Sequence, residues 1–368
     1  MRRWLRWGAA LVGGAALALV GAIAVVRLGG DRRADAWFAD DPATVLRLAD
    51  QLAASMAAGT SAGDFSTGDA RFDGEWALVS CQMTTIALGG LLPAHPDREE
   101  AWRPAIHACS MWLTTPEARS FGTVAWGEDG AEDVPDDHVH AYLGWTNTAL
   151  QIAARVGEQE AAAAGRELSD RLARRVHDRS LRELQTYPGE TYPPDISTVI
   201  GSLALDGRYP EEVDSLLARF RADAIDPDTG LVRQTLDPRT GAPGRARGSG
   251  TTVSAWFLGH ADPGLSRELS AAARATLRDD VLGFGGVREV PAGTPGVADI
   301  DSGPVLFGLS VSASGFGLAA ARRLGDDAWH RELYRSAHLA GVEHGGWFVL
   351  GGSLGNAILL AQLTSPKG

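Results

Sequence analysis

Carboxylates, aromatics and amides gather at a few points of this chain, and their types suit work on a polyol or sugar. Asp195 follows Tyr192-Pro193-Pro194, and Asp301 opens Asp301-Ser302-Gly303-Pro304, so each stands where a helix is expected to begin. Two carboxyl groups held ~6.5–9.5 Å apart can serve as acid and base on a glycosidic bond. Asp is also a preferred helix cap, worth ~1 kcal/mol, so each has a structural reading beside the catalytic one. The densest polar cluster is Asp136-Asp137-His138-Val139-His140. There His140 suits general acid–base work and His138 a substrate contact, while a solvated loop and cap would use the same residues. The spacing matches no metal motif of the HExxH kind, so neither a metal nor a cofactor is expected. Aromatic faces stack on sugar rings while amides bond their hydroxyls, which adds Trp76, Gln82, Tyr142, Trp145, Tyr192 and Asn356 as candidate substrate contacts. Arg247 could hold the carboxylate of an acidic sugar, although loop arginines are more often simply solvated.

Composition removes several classes of protein. The chain has 368 residues, 45% hydrophobic and 22% charged, which is globular rather than disordered. Its only lysine is Lys367. That excludes a P-loop, which needs a Gly-Lys pair, and argues against an internal Schiff-base lysine. A net charge of −12 disfavours nucleic acid as a partner.

The N-terminus has a different character. Arg2, Arg3 and Arg6 precede an uncharged apolar run from Gly8 to Val26, closed by Arg27 and Asp31-Arg32-Arg33. Nineteen apolar residues can span a bilayer core of ~30 Å as a helix. The run exceeds the usual ~7–15-residue core of a cleaved signal, though Ala22-Ile23-Ala24 resembles a cleavage site. The expectation is a membrane anchor or signal segment over residues 1–33 and an extracytoplasmic domain over 34–368. Cys81 and Cys109 fit that compartment either as a disulfide between successive hairpins or as two buried thiols.

The elements that must position these residues repeat. A polar or Gly-rich segment followed by a small-residue-rich apolar helix recurs six times, starting near Glu75, His140, Tyr192, Ser249, Asp301 and Gly351. Between them lie amphipathic segments. One carries Val45, Leu48, Leu52 and Met56; another Trp102, Ile106, Cys109 and Leu113; a third Leu168, Leu172 and Val176. One-sided helices belong outside and all-round apolar helices inside. Six such pairs predict an all-α (α/α)6 toroid whose inner helices bring their N-terminal ends to one cavity. The long connections at Thr115–Asp137 and Ile225–Gly248 are expected to serve it. The turn signals at Asp226 and Asp237 suggest a short β-hairpin with Leu231–Leu236 as one arm, and Trp347–Leu350 reads as another short strand.

On the hairpin count, the Asp226-Pro227-Asp228-Thr229-Gly230-Leu231 turn and the Asp301-Ser302-Gly303-Pro304 helix opening, residues 41–364 resemble the six-hairpin (α/α)6 superfamily. That superfamily includes polysaccharide-processing enzymes and linalool dehydratase/isomerase-like proteins. The resemblance implies a carbohydrate-active hydrolase or lyase acting on a small molecule or oligosaccharide. Its second branch implies a dehydratase with catalytic cysteines, which would need Cys81 in a greasy cavity. A non-catalytic glycan-binding or envelope-assembly protein would keep the aromatics without an unequal carboxylate pair.

Overall fold

The computed structural model describes residues 21, 23–66, 68, 70–294, 298–299 and 301–368. Most of the Gly8–Val26 run, and with it the anchor expected there, lies outside the described residues. Among the described residues one helix, Asp73–Ala94, is long and apolar enough to cross a membrane, but it is mostly buried in the protein, as a core helix would be.

Six hairpins follow one another. The first pairs α1 (Pro42–Met56) with α2 (Ala70–Leu91). The second runs from α3 (Glu99–Leu113) through the short α4 (Ser120–Trp126) to α5 (Leu143–Arg155). The third pairs α6 (Gln159–Val176) with α7 (Pro193–Asp206), and the fourth α8 (Pro210–Arg219) with α9 (Gly248–Leu258). The fifth runs from α10 (Pro263–Leu277) through β1 (Arg278–Val281), β2 (Phe284–Arg288), β3 (Val305–Leu306) and β4 (Leu309–Ser310) to α11 (Val311–Leu324). The sixth runs from α12 (Asp327–Ala340) through β5 (Glu343–His344) and β6 (Trp347–Phe348) to α13 (Gly352–Leu363). Each inner helix packs on the next, and α13 returns to α2, so the inner six form a closed ring.

The outer helices bury the stripes their spacing predicts. Val45, Leu48, Leu52 and Met56 face inward from α1, and Trp102, Ile106, Cys109 and Leu113 from α3. Every residue of α9 is buried, as an inner helix requires. Small residues allow the inner helices to touch backbone to backbone. A Cβ on Gly201 of α7 would stand 2.6 Å from the Phe257 carbonyl of α9, and one on Gly144 of α5 would strike Thr198 and the Val199 amide of α7. Side-chain caps start the outer helices: Asp262 accepts from the Leu265 amide at 3.0 Å and Asp326 from the Trp329 amide at 3.0 Å. Each cap satisfies an amide that has no partner within its own helix.

Two sequence expectations need correction, and one open alternative is decided. The fifth inner helix begins at Val311, capped by Ser310, and residues 301–304 form a turn before β3. Asp301 is therefore not a helix cap. The 225–248 connection is laced by isolated bridges, Ile225 to Val232 and Arg233 to Ala246, instead of a regular hairpin. Its Asp226 and Asp237 fold back on the amides of Thr229 and Thr240, which satisfies the two turns locally. Finally, Cys81 and Cys109 are free thiols in contact with each other between α2 and α3. Cys81 thus points outward from the ring, away from any cavity chemistry.

The sheet has the order β1-β2-β4-β3, and all its pairs are antiparallel. It covers the connection of hairpin five. Residues 23–38 form a helix that lies antiparallel on α12: Phe38 meets His330, Asp35 pairs with Arg331, and Asp31 pairs with Arg335. The buried Arg322 guanidinium binds the Trp37 carbonyl, Asp40 and the Ser365 carbonyl, joining the two ends of the folded chain.

Candidate active site

The N-terminal ends of the inner helices share one end of the ring, and the chain collects its unusual carboxylates there. Asp195 sits in the first turn of α7, opened by Pro193 and Pro194. Its carboxylate turns away from its own helix. It accepts from the Trp145 indole at 2.9 Å and the Thr186 hydroxyl at 2.9 Å. Burial pushes its pKa up, and the two donors oppose that by favouring the charged form. Asp301 accepts from the Gln234 amide at 2.9 Å. Burial first, then the charges of Asp299 and Asp195, push it up to about 6. Asp301 is solvent-exposed and yet densely flanked by protein, as a carboxyl lining a recess would be. The two carboxyls therefore sense each other's charge but lie in unequal surroundings.

Tyr192 stands with them. Burial raises its phenol well above the ordinary value, and the charges of Glu190, Asp301 and Asp195 add to the effect. Its hydroxyl donates to Glu190 at 2.9 Å. Trp145 is half-buried, edge-on to Phe257 at 4.6 Å. Gln234 fits beside the N-terminal ends of α7 and α9 because α9 has glycine at 250, where a Cβ would lie 2.6 Å from the Gln234 oxygen and 3.0 Å from Pro194.

A second cluster adjoins the first through Thr186, whose carbonyl accepts from the Trp126 indole at 2.9 Å. Glu128 accepts from His138 Nδ1 at 2.6 Å and faces His140 Nε2 at 3.2 Å. The Trp126 ring packs on His140 at 4.3 Å, and Tyr142 stacks on Tyr187 at 5.9 Å. His140 is fully buried, and burial lowers its pKa to about 4. A neutral imidazole behind the Trp126 ring can orient Glu128 but cannot reach a substrate, which corrects its candidacy as an acid or base. Tyr142 is likewise buried. His138 remains partly exposed beside Glu128.

The other candidates separate. Trp76 is half-buried on α2, edge-on to Phe65. Gln82 is fully buried and donates to Thr146 at 3.0 Å, so it ties α2 to α5. Asn356 accepts from the Phe348 amide at 2.9 Å and donates to the Phe348 carbonyl at 2.9 Å, fixing β6 to α13. Gln82 and Asn356 are core braces, not substrate contacts. Arg247 is spent on Glu289 and on both oxygens of Asp299. An arginine so paired is not free to take an acidic sugar. Its role is to hold Asp299, whose carboxylate also accepts from the Ser302 amide beside Asp301.

Sequence reasoning missed Gln234, Thr186 and Glu128. Gln234 and Thr186 sit in connections without periodicity, and nothing in their spacing marks them. Glu128 had a signal: it lies with Asp129 between two glycines, Gly127 and Gly130. Shallow depressions elsewhere, along α3 at Glu99, Arg103 and His107 and beside Asp40 and Lys367, gather no such constellation.

No protein-family model matches the chain, and no curated protein sequence matches it. Solved structures do. The alpha-1,6-mannanase GH76A of Salegentibacter sp. HEL1_6 superposes with a TM-score of 0.52 at 13% identity, over 89% of this chain and 98% of that one. An inactive variant of it, with two consecutive aspartates replaced and alpha-1,6-mannotetrose bound, gives 0.53 at 12% identity over the same shares. The GH76 alpha-mannanase BT2949 of Bacteroides thetaiotaomicron gives 0.51 at 11% identity, over 77% of this chain and 84% of that one. The fold is thus the six-hairpin toroid that the sequence suggests.

Proposed function

We propose that this protein is a glycoside hydrolase acting on an oligosaccharide, with Asp301 as general acid and Asp195 as general base. The observation that carries this reading is the unequal pair: two carboxyls at one end of the ring, coupled by charge. Asp301 is pushed up to about 6 by burial and neighbouring charge; Asp195 is also pushed up by burial, but two donors that favour its ionised form oppose the shift. Unequal surroundings of this kind are how a site assigns acid and base roles to two carboxyls. In this scheme Asp301 gives its proton to the leaving oxygen, and Asp195 takes one from the attacking water. Trp145 and Tyr192 hold the sugar between them. The toroid fold shared with the mannanases supports a mannan oligosaccharide as the first substrate to try, although a fold alone does not dictate a reaction.

The test is product release from alpha-1,6-mannotetraose and a panel of other linkages. Asp195→Asn and Asp301→Asn should each cut turnover by about 10²–10⁴ with the melting temperature little changed. Parent-like turnover in both would remove the pair. A second reading uses the consecutive aspartates Asp136-Asp137, exposed on the connection to α5. It is favoured by the consecutive aspartates altered in the inactive mannanase. Loss of turnover in Asp136→Asn/Asp137→Asn, with parent-like Asp195 and Asp301 variants, would select it. We read the Gly8–Val26 run as the membrane anchor of this enzyme, with the toroid outside the cytoplasm. Recovery of only a soluble, shortened chain on fractionation would exclude the anchor.

A further inference from the structure

Apart from Val124 on α4 and two residues of the N-terminal helix, the large apolar side chains left in water are grouped. Leu282 is 65% exposed, Phe307 85% and Leu350 73%, with Val342 and Leu339 also exposed. All lie at the C-terminal ends of outer helices α10 and α12 or in the connections from there to α11 and α13. That is the end of the ring where the inner helices begin and where Asp195 and Asp301 stand. Apolar residues grouped on one face of a soluble domain mark a contact surface.

Backbone conformation sharpens the point. The turns Leu282-Gly283, Phe307-Gly308 and Gly345-Gly346 each join two paired strands with positive φ at both residues. Such turns favour Asn or Gly at their first position. The third obeys with glycine. The first two place Leu and Phe there, at φ 57° and 54°, a conformation unfavourable to bulky side chains. Val342, at φ 51°, makes a third. The remaining non-glycine residues with positive φ among those described are Asp40, His140 and Asp178, of types that adopt it more readily. Strain retained together with exposure is a mark of function.

The N-terminal helix identifies the occupant. Read backwards from Phe38 to Asp31, it climbs α12 from His330 to Arg335. A further eight residues to Ile23 add ~12 Å, whereas α12 has only five more, ~8 Å. The helix therefore passes the end of α12 and leaves the ring at the end where Asp195 and Asp301 stand. On the way Arg27 packs against Gly283, next to Leu282, and Val25 is 71% exposed. What precedes it in the chain is the apolar run beginning at Gly8.

We propose that the rim formed by Leu282, Phe307, Val342 and Leu350 seats in a lipid bilayer beside the N-terminal helix. The toroid's open end then faces the membrane, and its substrate is a glycan carried on a membrane lipid. The substrate half of this inference rests on the glycoside-hydrolase reading; the seating half does not. A site turned to the bilayer meets a lipid-borne sugar chain within reach of its own anchor, at an effective concentration a free oligosaccharide cannot match.

The full chain in phosphatidylcholine nanodiscs containing some phosphatidylglycerol tests both halves. A fluorophore on Leu282→Cys or Phe307→Cys should be quenched by a quencher borne on the lipid acyl chain. One on Glu160→Cys, at the N-terminal end of α6 and so at the opposite end of the ring, should not. No quenching at 282 and 307, or equal quenching at 160, would overturn the seating. Leu282→Asn/Phe307→Asn suits its turns and should fold. It should cleave free alpha-1,6-mannotetraose like the parent, but the same tetrasaccharide linked to a phospholipid in the disc at least about tenfold more slowly. Equal rates on the lipid-linked form would overturn the lipid-borne substrate. A parent that cleaves neither form removes the hydrolase reading and the lipid-borne substrate with it, while the quenching still decides the seating.

Discussion

At the scale of single residues, the proposed acid Asp301 and base Asp195 make the hydrolase reading testable. A general acid pushed up to about 6 loses its proton above that pH. Turnover should therefore fall on the alkaline side with an apparent pKa near that value, and on the acid side as Asp195 protonates. A rate–pH profile checks this, and a flat profile from pH 5 to about 8 would contradict it. The cysteines make an opposite prediction. Burial raises the Cys109 thiol well above the ordinary range, and Cys81 is equally enclosed. Both should resist alkylation in the native protein and react once it is unfolded, as mass spectrometry would record. Asp195 and Asp301 were marked as candidates in the sequence because each stands at an expected helix start. Their partners were not: a glutamine in a connection gains meaning only when the fold brings Asp301 to it.

At the scale of elements, periodicity was the readable signal. Each stripe read on α1, α3 and α6 is the buried face observed. Small residues marked the inner helices for a steric reason that the structure makes concrete. Gly144→Ala would drive a methyl into Thr198 and the α7 backbone. Overpacking of that kind costs ~1–3 kcal/mol, so the denaturation midpoint should drop by several degrees. An unchanged midpoint would mean that α5 and α7 can part freely. The start of the fifth inner helix was misread because Asp-Ser-Gly-Pro is also a turn sequence. Only the pairing of Leu309 and Ser310 with β2 shows where the helix can begin.

At the scale of the whole molecule, buried histidines set the response to acid. Burial lowers His140 to about 4 and His330 to about 3, against ~6.5 for a histidine in the unfolded chain. As pH falls below 6.5 the unfolded chain binds protons that the native state refuses, so stability present at neutral pH is lost progressively down to pH 4 and below. His140 contributes roughly 3 kcal/mol to that loss and His330 roughly 5 kcal/mol. Asp301 acts in the reverse sense. Between ~3.9 and 6 it keeps a proton in the native state that the unfolded chain has released, which offsets part of the decline. Urea midpoints from pH 7 to 4 should fall, and fall more steeply in Asp301→Asn. A parallel fall in the two proteins would show that Asp301 titrates normally.

The contact of α13 with α2 joins the last inner helix to the first, across nearly the whole length of the chain. A growing chain cannot make it until α13 has been synthesised. Until then the ring is an open arc, and the flanks of α2 that α13 will cover stay uncovered. Closure is thus a late event of high sequence separation, the kind that slows folding and invites association between unfinished chains. A helper that shields α2 until α13 emerges would speed maturation, and a version starting at a different hairpin would hide different flanks first.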